Sequence, residues 1–323
     1  MRSREGRSEG CFLKTKRAIT CLFACLAVST GVSFAQIQNQ NDQGQNGQGQ
    51  NQNGDNKAIH TTSKGVSPFS GTGSNGIRYH GGPVILGTAN IYYIWYGNWG
   101  IGSTSPDPGV DILTNLAKGI GGSQYFNINT TYYNGSNVHV SNSVNYIAAA
   151  ADHYSQGTSL SDAQVQAVVA NAINTGALPK DSNGVYFVLT SQDVNETSGF
   201  CTQYCGWHTH GTIAGLDVKY AFIGNPARCP SACSAQTTSP NGDLGADGMA
   251  SIIAHELEES VTDPDLNAWY DTRGEENADK CAWTFGATYT VNGAYANMKL
   301  GTRDYLIQQN WVNANGGYCA LKY

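Results

Sequence analysis

The sequence predicts an α+β domain, with helices packed on a mixed β-sheet and the whole stapled by disulfides. Three observations carry that prediction. Runs rich in β-branched and aromatic residues alternate with stretches of helical apolar spacing. After residue 57 no internal repeat and no second low-complexity stretch divides the chain. Six cysteines remain in that stretch, and an even number in an exported chain favours disulfides over free thiols.

The N-terminus has the order of a signal peptide. Lys14, Lys16 and Arg17 form a positive region, residues 18–32 are apolar but short for a membrane span, and Ser33-Phe34-Ala35 is a small-x-small cleavage site. Residues 1–35 are therefore expected to be removed, leaving no membrane span in a secreted, extracellular protein. Residues 36–57 are Gln, Asn and Gly-rich and cannot bury enough apolar area to offset ordering, so a disordered spacer is expected there. Residues 58–323 are left as one domain.

The leader also masks the charge. It carries six of the 18 basic and two of the 24 acidic side chains, which leaves 12 against 22 and a formal charge of −10. With no basic run beyond it, nucleic acid and anionic membrane are excluded as partners, whereas a cation site is compatible.

Within the domain, residues 89–96 (ANIYYIWY) read as a buried strand. Residues 108–119 carry Val110, Leu113, Leu116 and Ala117 at helical spacing. Residues 130–133 and 138–140 suggest a hairpin around Asn134-Gly135. Residues 161–172 open with the helix start Ser-Asp and place Val165, Val168 and Val169 on one face. Residues 184–190 (GVYFVLT) and 218–223 (VKYAFI) are apolar strand runs, and 249–261 is a third helix.

That third helix and its sequel carry the chemistry. At ~100° per residue, His255 and Glu259 lie ~40° apart and can reach one ion. Met249, Ile252, Ile253, Leu257 and Val261 define an apolar arc that contains Glu256, while Glu258 is expected on the wet side. A carboxylate on a buried arc is costly unless a cation compensates it. The pattern resembles the zincin helix HExxH, in which the glutamate is general base and the histidines hold zinc. Here Glu259 stands for the second histidine, which completes the predicted fold class with a zincin-like active-site helix. Gluzincins take a third ligand from a later Glu followed by an Asp. Residues 276–279 (ENAD) resemble that element, with Glu276 as ligand and Asp279 as an outer partner orienting His255. Zn2+ is the expected cofactor. Ca2+ is its rival, because Asp263, Asp265, Asp271, Glu275 and Glu276 are oxygen donors, although His255 suits calcium poorly.

A second constellation is Cys201-Thr-Gln-Tyr-Cys205-Gly-Trp-His208-Thr-His210. The two histidines share a face of an extended segment and could line the cleft, with His208 supplying a proton to a leaving group. The bland alternative is a pair of exposed loop histidines. Trp95, Tyr96 and Trp99 read as core before they read as a sugar platform. Cys201, Cys205, Cys229, Cys233, Cys281 and Cys319 allow 15 connectivities. The pairing expected here is Cys201–Cys205, Cys229–Cys233 and Cys281–Cys319.

Residues 79–84 (YHGGPV), residues 91–97 (IYYIWYG), Phe200-Cys201-x-x-x-Cys205-Gly206-x-His208 and Cys229-Pro230-x-x-Cys233 resemble the EXORDIUM or phosphate-induced-protein family. The likeness runs from about Tyr79 to Cys319. It implies an exported, surface- or wall-associated protein of a family linked in plants to growth and nutrient responses, with no established reaction. The resemblance also implies a departure, since the plant pattern lacks the His-Glu pair that this chain keeps in HELEESVTDP. Two functions follow as expectations: a zinc-dependent, metallopeptidase-like hydrolase of extracellular peptide or cell-wall substrate, or a non-catalytic extracellular module binding through exposed aromatics.

Overall fold

Residues 60–62 and 76–323 are described in the computed structural model; the predicted leader (1–35) and spacer (36–57) lie outside them. A six-stranded mixed sheet is formed by β1 (His60–Thr62), β2 (Ala89–Tyr96), β3 (Val144–Asp152), β4 (Gly184–Thr190), β5 (Tyr204–Ile213) and β6 (Leu216–Ile223). Its spatial order is β1-β5-β6-β4-β2-β3. The pairs β2–β3, β2–β4 and β4–β6 are parallel, whereas β5 runs antiparallel to β6 and β1 antiparallel to β5.

The central strands β2 and β4 are the two apolar runs anticipated, and β4 is buried along its whole length. Covered on both faces, they need no polar alternation. Tyr92 and Tyr186 stack across them at 4.7 Å. Trp95, Tyr96 and Trp99 are buried, so they belong to the core and offer no platform to a sugar. Edge strand β3 went unread in the sequence. Its alanine run has no β-branched signal, and pairing with β2 overrides local propensity.

Three helices pack on the sheet: α1 (Pro108–Ile120), α2 (Asp162–Asn174) and α3 (Leu244–Thr262). Each has a start signal in the sequence. Asp107 accepts from Gly109 N (2.8 Å), the Gln164 side chain reaches back to Ser161 N (2.9 Å), and Asp243 accepts from Ala246 N (2.9 Å). α3 therefore begins a turn and a half earlier than the apolar spacing indicates. It also lies in the middle of the molecule, with every residue from Met249 to Thr262 buried. The expectation that Glu258 faces water is thus wrong: a helix enclosed on all sides has no wet face, and an arc drawn from apolar residues alone cannot show this.

The expected hairpin over 130–140 is reduced to a single bridge, Tyr133 to His139. Thr130 and Thr131 instead close a 3-10 turn (Phe126–Thr131), their hydroxyls donating to Asn127 O and Ile128 O. A tight hairpin instead joins β5 to β6 at Ala214-Gly215. Both residues have positive φ (51° and 73°), as a two-residue turn matching strand twist requires.

Two of the three expected disulfide pairings are corrected. The bridges are Cys201–Cys229, Cys205–Cys233 and Cys281–Cys319. Cys201 lies in the turn that precedes β5 and Cys205 is the second residue of that strand, so each meets a different cysteine of the segment that follows β6. The two cysteines instead meet Cys229 and Cys233, which flank a one-turn helix (Pro230–Cys233) just past β6. The open end of the β5–β6 hairpin is stapled twice. Among the described residues no helix is long and apolar enough to cross a membrane.

Candidate metal centre

One edge of α3 meets β5 at Gly206. A Cβ there would lie 2.5 Å from Ile252 Cγ2 and 3.2 Å from Glu256 Oε1, so only glycine allows the helix so close to the strand. The contact brings Glu256, one residue further along α3 than His255, against the strand that carries His208.

The C-terminal end of α3 is held by the YHGGPV segment. Ile85 N donates to Val261 O (3.0 Å), while His80 N and Gly82 N donate to Ala268 O (2.7 Å) and Asn267 O (2.9 Å). A Cβ on Gly82 would collide with Asn267, so this approach too requires glycine. Asp263 caps the same turn, accepting from Asn267 N and Ala268 N at 2.6 Å. The chain then returns along α3 through Glu276 and the turn Asp279–Cys281, where Cys281–Cys319 and Trp311 N to Asn277 O (3.1 Å) pin it.

The result is a buried cluster. His208, His255, Glu256, Glu259, Glu276 and Asp279 are each at most 3% exposed, too enclosed for water to screen their charges. His255 Nε2 lies 3.0 Å from Glu259 Oε1 and 3.4 Å from Asp279 Oδ1. His208 Nε2 lies 3.0 Å from Glu276 Oε2 and 3.6 Å from Glu259 Oε2. Asp279 N donates to Glu259 Oε1 (3.1 Å), and Glu276 N to Asp279 Oδ2 (3.3 Å). His255 Nε2, Glu259 Oε2 and Glu276 Oε1 make no hydrogen bond in spite of complete burial.

The electrostatics follow from that enclosure. Burial pushes the carboxyls of Glu259 and Glu276 well above the ordinary carboxylate range, and mutual repulsion with Asp279 adds to it. Burial also raises Asp279, against the pull of His255. For His255, burial alone would lower the imidazolium, but Glu259, Asp279 and Glu256 together outweigh it and hold the group well above the usual histidine range. These shifts express one demand, for positive charge among crowded carboxylates, which protons or a divalent cation satisfy.

The donors fit such a cation. Two atoms bound to one zinc ion at ~2.0–2.1 Å in tetrahedral geometry stand about 3.3 Å apart, the spacing found around His255. The closely spaced set around His255 is completed by Asp279, where the sequence suggested Glu276; the latter faces His208. His208 is buried inside the cluster and is no exposed loop histidine. His210, two residues on, is separate. It pairs with Asp217 (2.8 Å), beside Lys219 Nζ at 2.7 Å from Asp217 and 3.3 Å from Asp265. That outer set already holds a cation.

Most oxygen donors of the calcium reading are already engaged by other groups, although Asp263 also contacts Glu276. Asp263 is engaged by backbone amides, Asp265 by Lys219, and Asp271 by Lys280 Nζ (3.0 Å) and the amides of Arg273 and Glu275. Residues that the sequence did not single out surround Glu258. Asn310 Nδ2 donates to its carboxylate, and Asn277 Nδ2 to its main-chain oxygen (3.3 Å). No local pattern marks an asparagine some fifty residues downstream as a helix partner.

A disulfide-stapled α+β domain enclosing a histidine–carboxylate centre is thus the class defined by fold and site. The model of the phosphate-induced protein 1 conserved region matches residues 77–311. EXORDIUM-like 3 of Arabidopsis thaliana is 32% identical over 288 residues, covering 75% of this chain and 82% of its own. EXORDIUM-like 5 of the same plant is 32% identical over 291 residues, covering 76% and 77%. PHOSPHATE-INDUCED 1 of Nicotiana tabacum is 26% identical over 247 residues, covering 68% and 74%. The chain belongs to the phosphate-induced protein 1 family, as its EXORDIUM-like relatives also indicate. No solved structure matches it significantly. Three disulfides fit an extracellular protein.

Proposed function

We propose that this protein is a secreted zinc-dependent, metallopeptidase-like hydrolase acting on extracellular peptide or cell-wall material. The observation that carries this reading is Glu259, whose carboxylate stands between two buried imidazoles with Glu256 alongside. His255, Glu259 and Asp279 would hold the ion. A bound zinc ion brings the pKa of a water it holds toward neutrality. Glu256, on the next position of the helix, would be the group placed to take up a proton at its carboxylate. Gly206 sets how far Glu256 stands from β5.

An extended peptide has a place to bind. The outer edge of β5 already takes an antiparallel chain at residues 204–207, where β1 pairs with it. Beyond Trp207 this edge has no strand partner among the described residues, and strand addition is a common mode of peptide capture.

One observation favours the second reading, a non-catalytic module in which the ion is a structural staple. Every donor is buried, and structural zinc sites are closed whereas catalytic ones keep an open position. Tyr289, Tyr295 and Tyr318 are then the exposed aromatics available to a glycan.

Glu256→Gln separates the two. In the hydrolase, zinc content is retained while hydrolysis of peptide or wall substrate falls by about 10²–10⁴-fold. In the module no hydrolysis is measurable in either form. If Glu256→Gln loses zinc as fully as His255→Ala does, the role given to Glu256 is wrong.

A further inference from the structure

We propose that this centre holds two divalent ions bridged by the Glu259 carboxylate, one on each side, rather than a single ion. The inference rests on the metal-binding reading above and deepens it.

Glu259 presents a different oxygen to each imidazole. Oε1 lies 3.0 Å from His255 Nε2, and Oε2 lies 3.6 Å from His208 Nε2. Each imidazole has a second carboxylate of its own: Asp279 Oδ1 at 3.4 Å for His255, and Glu276 Oε2 at 3.0 Å for His208. All four separations lie around the ~3.3 Å expected between donors that share one tetrahedral ion. The donors thus form two sets, both sharing Glu259, with His255 in one and His208 in the other.

Charge points the same way. Glu256, Glu259, Glu276 and Asp279 are four buried carboxylates, and the histidines are neutral when they act as ligands. With Asp263, also buried and in contact with Glu276, the centre holds more acid than one divalent ion neutralises, and uncompensated charge is most costly in the interior. A second ion answers part of the remainder. Satisfaction of polar atoms agrees, because an ion on the His255 side reaches Glu259 Oε1 and leaves Glu259 Oε2 and Glu276 Oε1 without partners. Glu259 Oε2 is the oxygen that faces His208, and Glu276 is the second carboxylate on that imidazole. A mixed imidazole–carboxylate set suits first-row ions such as Zn2+ or Mn2+. Glu256 lies within the His208 set, beside the second ion, where a carboxylate that removes a proton from water needs to be.

Stoichiometry tests it. The full secreted chain is stripped with a chelator, dialysed against Zn2+, and its metal measured by mass spectrometry. Two ions per chain are expected, falling to one in His208→Ala and to one in His255→Ala. Should His208→Ala misfold by near-ultraviolet circular dichroism, Glu276→Gln, which keeps side-chain shape, is expected to give the same drop. Loaded with Mn2+, the wild type is expected to give the exchange-coupled paramagnetic resonance signal of a bridged pair, and Glu259→Gln to lose it. Saturation at one ion, unchanged in Glu276→Gln, overturns the two-ion proposal and leaves the hydrolase reading standing. A second ion lost in His210→Ala but kept in His208→Ala also overturns it, by placing that ion in the outer set. No metal in any form overturns both readings.

Discussion

Two glutamates one residue apart on α3, Glu258 and Glu259, are equally buried and differently treated. Burial pushes both carboxyls well above the ordinary range. Around Glu258 the protein supplies amides: Asn310 donates to its carboxylate, Asn277 to its main-chain oxygen, and the remaining neighbours include the phenols of Tyr125 and Tyr132. Each keeps one buried oxygen without a hydrogen bond, Glu258 Oε1 and Glu259 Oε2, but around Glu259 the protein supplies two imidazoles and three more carboxylates. The difference teaches that burial of an acid is no sign of a metal by itself. A lone neutral acid is accommodated among amides, whereas a crowd of acids around imidazoles calls for a cation.

Removing metal is the sharpest way to test that contrast. If the Glu259 side binds zinc, a ligand present at a thousand times its dissociation constant adds about 4 kcal/mol of stability. Chelation should then lower the melting temperature by roughly 10 °C for a domain of this size. His255→Ala should melt low with or without chelator. An identical wild-type melt in both conditions would break the comparison at its root.

The Cys281–Cys319 bridge ties down the segment bearing Glu276 and Asp279. Its two cysteines are 38 residues apart, so replacing both with serine should cost about 4 kcal/mol on the chain-entropy model. Zinc affinity should fall with it. Titration of denatured, unreduced wild type with a thiol reagent should find no free thiol among the six.

Gly206→Ala probes the donor side from the strand. The added methyl meets Ile252 and approaches Glu256 and should cost about 1–3 kcal/mol by overpacking, with hydrolysis reduced more than zinc content. Equal loss of both would mean that the contact supports the whole centre and not Glu256 in particular.

Glu258→Gln should do least. The amide has the shape of the protonated acid and still accepts from Asn310, so stability within about 1 kcal/mol of wild type and unchanged zinc are expected. Zinc loss in this variant would erase the distinction drawn between the two glutamates.

Much of this was legible from residue order. β2 and β4 stand where the apolar runs place them, because a strand buried on both faces writes its burial into consecutive residues. α1 is announced by its apolar spacing and α2 by its start signal, since both are patterns within a few residues. The His255–Glu259 juxtaposition is likewise a property of one helical turn, and it needed no fold to be seen. Where a feature depends on residues close in sequence, sequence determined it.

Tertiary structure decided the rest. Whether Cys205 reaches Cys201 or Cys233 depends on Cys205 lying in an extended strand beside the end of β6, which cysteine spacing does not encode. Glu258 is dry because the C-terminal segment, with Asn310, returns to cover its side of α3. His208 joins the centre because β5 is brought against α3 at Gly206, and Asp279 rather than Glu276 reaches His255 because the chain turns at residues 279–281. Each of these is a contact between segments tens of residues apart. Such contacts are selected by the packing of the whole core, and no local pattern carries them.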